Sequence, residues 1–100
     1  MFSEYEMNFG HKDYLKTVQP RNNGYQWIFE FPNGYGASVI RTPYSYGGDH
    51  GKFELAVLKD GKCCYDTEIT QDVLGYLDES EVKRYLNEIK ELPDDQRKDG

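Results

Sequence analysis

The stretch that decides the fold runs from Gly24 to Lys59. It reads Gly24-Tyr-Gln-Trp-Ile-Phe-Glu-Phe-Pro-Asn-Gly-Tyr-Gly-Ala-Ser-Val-Ile-Arg41, then Thr42-Pro-Tyr-Ser-Tyr-Gly-Gly-Asp-His-Gly51, then Lys52-Phe-Glu-Leu-Ala-Val-Leu-Lys59. Tyr25, Trp27, Phe29 and Phe31 alternate with Gln26, Ile28 and Glu30, the period-two pattern of a strand with one aromatic face. Pro32-Asn33-Gly34 follows, and Asn-Gly takes positive φ readily enough to predict a two-residue hairpin. Tyr35 to Arg41 is a second strand. Its small residues Gly36 and Ala37 leave room for a bulky element over them, for which a C-terminal helix is the candidate. A third strand, Lys52 to Lys59, sets Phe53, Leu55 and Val57 on one face. Asp60-Gly61 is another hairpin signal and leads into a short fourth strand, Lys62 to Asp66.

Beyond the sheet the periodicity changes. Thr70 can cap a short helix over Gln71 to Leu77, which Gly75 would weaken. Asp78-Glu-Ser-Glu81 has the form of a capping box, with Asp in the place of Ser or Thr. Val82, Tyr85, Leu86, Ile89 and Leu92 then recur at spacings of three and four, the mark of an amphipathic helix, and Pro93 ends it. The expected fold is α+β: an antiparallel meander of about four strands packed by a C-terminal amphipathic helix. The expected core is Trp27, Phe29, Val39, Leu55, Val57, Val82, Leu86 and Ile89.

At the N-terminus the apolar residues Phe2, Tyr5, Phe9, Tyr14, Leu15 and Val18 fit neither period. His11 to Val18 could form a short helix, and the turn cluster Pro20-Arg-Asn-Asn-Gly24 closes the segment. The chain divides on this reading into an arm over 1–23, one α+β domain over 24–92 and a polar, disordered tail over 93–100. One hundred residues make a single domain, and an aromatic share of 15% means that rings fill much of its core.

The net charge is −6. Between Asp49 and Glu81 stand nine acids and three lysines, an excess equal to the whole net charge. Such a surface disfavours nucleic acid and anionic membranes and favours a protein partner with a basic surface. The adjacent Cys63 and Cys64 point to opposite faces of a strand, so they form neither a mutual disulfide nor a zinc site. Free thiols fit a cytoplasmic location. Met1-Phe-Ser-Glu-Tyr-Glu6 is acidic and has no apolar run, so no secretory signal is expected, and no stretch reaches the roughly 20 apolar residues of a membrane helix.

No motif spells out a reaction. Asp49-His50 near Ser45 could orient a base toward a nucleophile, but adjacent residues rarely aim at each other and no G-x-S-x-G elbow exists. The expectation is a protein without catalytic residues. Gly47-Gly48-Asp49-His50-Gly51 could expose N–H groups to a phosphate, although the P-loop pattern is missing. Asp60, Asp66, Glu68 and Asp72 lack the spacing of a cation site, so neither a metal nor a cofactor is expected. Tyr35, Tyr44, Tyr46, Tyr65 and Tyr76 are too many to be buried together. Tyrosine beside acid is the composition of a protein-recognition surface. The candidate partner-binding set is Tyr44, Tyr46, Asp49, Asp60, Asp66, Glu68 and Asp72.

Four segments also carry a likeness: F-P-N-G-Y-G-A-S-V (31–39), Y-S-Y-G-G (44–48), E-L-A-V-L (54–58) and Y-D-T-x-I-T-x-D-V-L-G-Y-L (65–77). Over residues 25 to about 92 the chain resembles a group of small bacteriophage and prophage proteins of unassigned function. Small acidic proteins of that origin are often inhibitors of host defence, anti-CRISPR and anti-restriction proteins among them, and some imitate DNA with spaced carboxylates. The resemblance thus implies a non-enzymatic inhibitor that binds a host defence protein, such as a CRISPR effector nuclease, through an acidic, DNA-mimicking surface. The alternative is a small-ligand module that holds a nucleotide in the 44–51 loop. The resemblance itself brings no site residues.

Overall fold

A computed structural model describes residue 9 and residues 12–45, 47–63 and 73–93. Among these residues six strands and one α-helix follow in order: β1 (Leu15–Arg21), β2 (Gly24–Glu30), β3 (Tyr35–Arg41), β4 (Phe53–Lys59), β5 (Lys62–Cys63), β6 (Leu74–Leu77) and α1 (Glu79–Lys90). All pairings are antiparallel. The sheet order is β1-β2-β3-β4-β5, and β6 also pairs with β4. β5 meets Leu58 and Lys59, while β6 meets Phe53 and Leu55. Two short strands therefore share the fifth position at opposite ends of β4. The fold is α+β as expected, with more strands than the four read from the sequence.

The register explains the core. Trp27 pairs with Val39 and Val39 with Leu55; Phe29 pairs with Ala37 and Ala37 with Val57. Directly opposed residues share a face, so these two rows stack their side chains on one side of the sheet. Helix α1 covers that side with Val82, Leu86 and Ile89, each fully buried. All eight expected core residues are buried. Phe9 joins them, with its ring 5.4 Å from Trp27 and 5.1 Å from Phe53, edge to face in both cases. The opposite face carries a polar row, in which the Gln19 amide donates to Gln26 Oε1 (2.7 Å) and the Gln26 amide to Ser38 Oγ (2.8 Å).

Several local readings are corrected. Residues 12–14 form a 3-10 turn and Leu15–Arg21 a strand, so the short helix over His11 to Val18 does not form across the described part of that segment. A bulge between Leu15 and Thr17 breaks the strand period. It brings Leu15 and Val18 to the same face at a spacing of three, which imitates a helix. Pro20 is tolerated because β1 is an edge strand. Asn22 and Asn23, with φ of 49° and 67°, form the two-residue turn joining β1 to β2. The cluster read as the end of an arm is thus the first hairpin turn.

The β2–β3 connection is longer than the two-residue hairpin expected. The Gly34 N–H donates to Phe31 O, the Phe31 N–H donates to Tyr35 O, and Gly34 alone has a left-handed φ, 89°. Gly36 is small for a reason other than helix packing. A Cβ there would run into the Phe29 carbonyl of the neighbouring strand. Ala37, on the core face, is the residue over which the helix lies. Asp60 and Gly61 do form the expected tight turn, with φ of 54° and 82°. Of the expected fourth strand, residues 62–63 are strand and 64–66 lie outside the described residues. Leu74–Leu77 is a strand, not the helix expected over 71–77; residues 70–72 lie outside the described residues, as does the tail from 94.

The helix is fixed at both ends. Asp78 accepts from the Glu81 N–H (2.8 Å), and Glu81 Oε1 accepts from the Asp78 N–H (2.9 Å), the capping box read from the sequence. At the other end the Asn33 amide donates to the carbonyls of Ile89, Lys90 and Leu92 at 2.9–3.1 Å. Asn33 thereby ties the β2–β3 turn to the last turn of the helix. Among the described residues no helix is long and apolar enough to cross a membrane.

A candidate partner-binding surface at one end of the sheet

The antiparallel pairing places the connections at two ends. One end holds the Asn22–Asn23 turn, the 42–52 loop and the β6–α1 junction, since Gly24 follows Asn23, Arg41 pairs with Tyr25, and Leu77 pairs with Phe53. The other end holds the 31–34 turn and the Asp60–Gly61 turn, whose Asp60 N–H donates to Gly34 O (3.1 Å). Six residue steps along β4 separate the ends by about 20 Å.

Thr42 organises the 42–52 loop from a buried position. Its Oγ1 accepts from the N–H groups of Tyr44 and Ser45, both at 3.0 Å. Ser45 Oγ accepts from the Thr42 N–H and donates to Thr42 O, also at 3.0 Å. A 3-10 turn over Gly48–His50 follows, bracketed by Gly47 (φ 88°) and Gly51 (φ 75°). The N–H groups of Ser45, Gly48, His50, Gly51 and Lys52 all donate to carbonyls within the loop. The glycine-rich segment is a hydrogen-bonded unit.

That bonding bears on chemistry. The Ser45 hydroxyl is engaged with Thr42, accepting from its N–H and donating to its carbonyl. The N–H groups of Tyr44, Ser45, Gly48, His50, Gly51 and Lys52 are thus engaged within the loop. A shallow depression of about 340 Å³ does lie beside the loop, lined by Asn23, Gly24, Arg41, Thr42, Pro43, Gly48 and Gly51. The Arg41 guanidinium lies over the Phe53 ring, 5.3 Å from its centre.

What this end of the sheet presents is aromatic. Tyr44 is 75% exposed and Tyr76 60%, the two exposed large hydrophobic residues among those described, and both stand at this end. Tyr35, by contrast, is buried. Tyr76 has a left-handed backbone, φ 56°. For a bulky residue this costs on the order of 1–2 kcal/mol. Gly47 lies against it: an added Cβ at Gly47 would stand 2.9 Å from Tyr76 Cα and 3.0 Å from its ring carbon Cδ1. The His50 ring is 6.2 Å from the Tyr76 ring, tilted by 32°. The sequence named Tyr76 among the aromatics but left it out of the binding set, because nothing in its surroundings foretells a left-handed tyrosine.

The acids divide between the ends. Asp60 is exposed in the far turn, about 20 Å from Tyr44, so the two do not form one compact patch. Tyr46, Asp66, Glu68 and Asp72 lie outside the described residues, as does the side chain of Asp49. At the aromatic end Asp78 and Glu79 are exposed. The Asp78 carboxyl is held below its ordinary value by the Glu81 N–H first and by the Ser80 hydroxyl second. Among the described residues no group of three or more His, Cys, Asp or Glu could hold a metal ion. No family model, curated protein or solved structure matches the chain, so the functional reading rests on this geometry and on the sequence motifs.

Proposed function

We propose that the protein is a non-catalytic inhibitor that acts in the cytoplasm of a bacterial host and binds a defence protein, such as a CRISPR effector nuclease, through the loop end of its sheet. The observation that carries this reading is the pair Tyr44 and Tyr76, exposed at one end, the first on a loop held by its own hydrogen bonds and the second on strand β6. Tyrosines on a preorganised support give contact area at little entropic cost. The net charge of −6 supports a basic partner, because it speeds the approach of a nucleic-acid-binding surface. The choice of a defence protein comes from the resemblance to phage proteins. Asp60, with Asp66, Glu68 and Asp72, contributes the long-range field that imitates DNA.

The test is DNA cleavage by a panel of purified CRISPR effector nucleases and restriction enzymes, with and without the protein. The reading expects one of them to be inhibited stoichiometrically, and inhibition to fall when Tyr44→Ala is introduced. Undiminished cleavage across the panel would count against the inhibitor reading.

A further inference from the structure

The Tyr76 backbone would be less strained as glycine or asparagine, and 60% of the residue is exposed, so its own burial does not account for a tyrosine there. Gly47 lies close beside its backbone and ring, and the His50 ring centre is 6.2 Å from that of Tyr76. Its charged neighbours along the chain are acids. Asp78 and Glu79 are exposed, and Lys52, which acts on Asp78, is the cation beside them. The chain also shows twice what a guanidinium does beside such a ring. Arg41 lies 5.3 Å from the Phe53 ring centre and Arg84 4.6 Å from that of Tyr85.

We infer that Tyr76 receives an arginine side chain from the basic partner. The guanidinium stacks on the open part of the ring, and Asp78 and Glu79 meet its charge. Arginine fits better than lysine because its flat, weakly hydrated head stacks on an aromatic face while its N–H groups still reach carboxylates. This inference rests on the protein-binding reading above and adds the chemistry of the contact. It also explains the strain, since a glycine would relax the backbone and remove the receptor.

The test uses fluorescent oligo-arginine and oligo-lysine peptides of equal length, measured by anisotropy at low ionic strength. The native protein should bind the arginine peptide about two- to fivefold more tightly than the lysine peptide. Tyr76→Gly should abolish that preference, leave lysine-peptide binding unchanged, and keep or raise the melting temperature. Tyr76→Asn, which also tolerates the left-handed backbone, should behave alike. Equal affinities in the native protein, or a preference that survives both substitutions, would overturn the inference. So would a clear fall in melting temperature in both variants, since the tyrosine would then serve stability. Nuclease inhibition separates the two claims: an arginine preference in a protein that inhibits no defence enzyme sinks the inhibitor reading alone, and inhibition without the preference sinks the arginine receptor alone.

Discussion

Asn33 shows how much one side chain can join. Its Oδ1 accepts from the Tyr35 N–H (3.0 Å) while its amide serves three carbonyls at the end of α1. Asn33→Ala takes a donor from those carbonyls, of which Ile89 O keeps the Leu92 N–H, and should lower stability by about 1–3 kcal/mol in urea unfolding, with no change in the slope of the transition. The sequence announced a turn at Asn33-Gly34 and the turn is there, but the left-handed residue is Gly34 alone. The capping role was not legible, because its partners stand 56 to 59 positions later in the chain. Tyr76 was hidden for a related reason: its strain arises where Gly47, Lys52 and the β4–β6 bulge meet, and no local pattern records that meeting.

At the scale of elements, period two was decisive for β2 and β4, where Trp27 and Phe29, and Phe53, Leu55 and Val57, are buried on one face. It failed at β1, an edge strand with a bulge and mostly exposed side chains, and at β6. In Val73-Leu-Gly-Tyr-Leu77 the apolar spacing allows a helix, yet the free edge of β4 offers backbone partners that a helix weakened by glycine cannot outcompete. The C-terminal helix was legible because cap and stripe agree. Leu86→Ala should cost about 2–5 kcal/mol, since the side chain is wholly buried against the sheet. The cap gives a pH dependence. The folded-state value of Asp78 is depressed below 3.8, so its stabilising effect is present above the ordinary carboxylate range and is lost as pH falls through the folded value. Comparing melting temperatures of the native protein and Asp78→Ala from about pH 6 down to about pH 2 should show a difference that shrinks on acidification.

At the scale of the whole molecule, the sheet separates two kinds of surface that the sequence had run together. The aromatic surface lies at the end where loop 42–52 meets the start of α1, and Asp60 lies at the opposite end. Short-range anchoring should therefore depend on Tyr44 and Tyr76, while Asp60 acts over a distance longer than the screening length of about 8 Å at physiological salt. Asp60→Asn should slow association with the inhibited enzyme slightly and leave dissociation unchanged. The most direct measurement of the central claim compares inhibition of DNA cleavage by the native protein, by Tyr44→Ala combined with Tyr76→Gly, and by Asp60→Asn, at matched concentration and with folding checked by circular dichroism. The account predicts that the folded double variant loses inhibition, with half-inhibition needing at least about thirtyfold more protein, while Asp60→Asn retains it. A double variant that inhibits as well as the native protein would contradict the placement of the binding surface at the loop end.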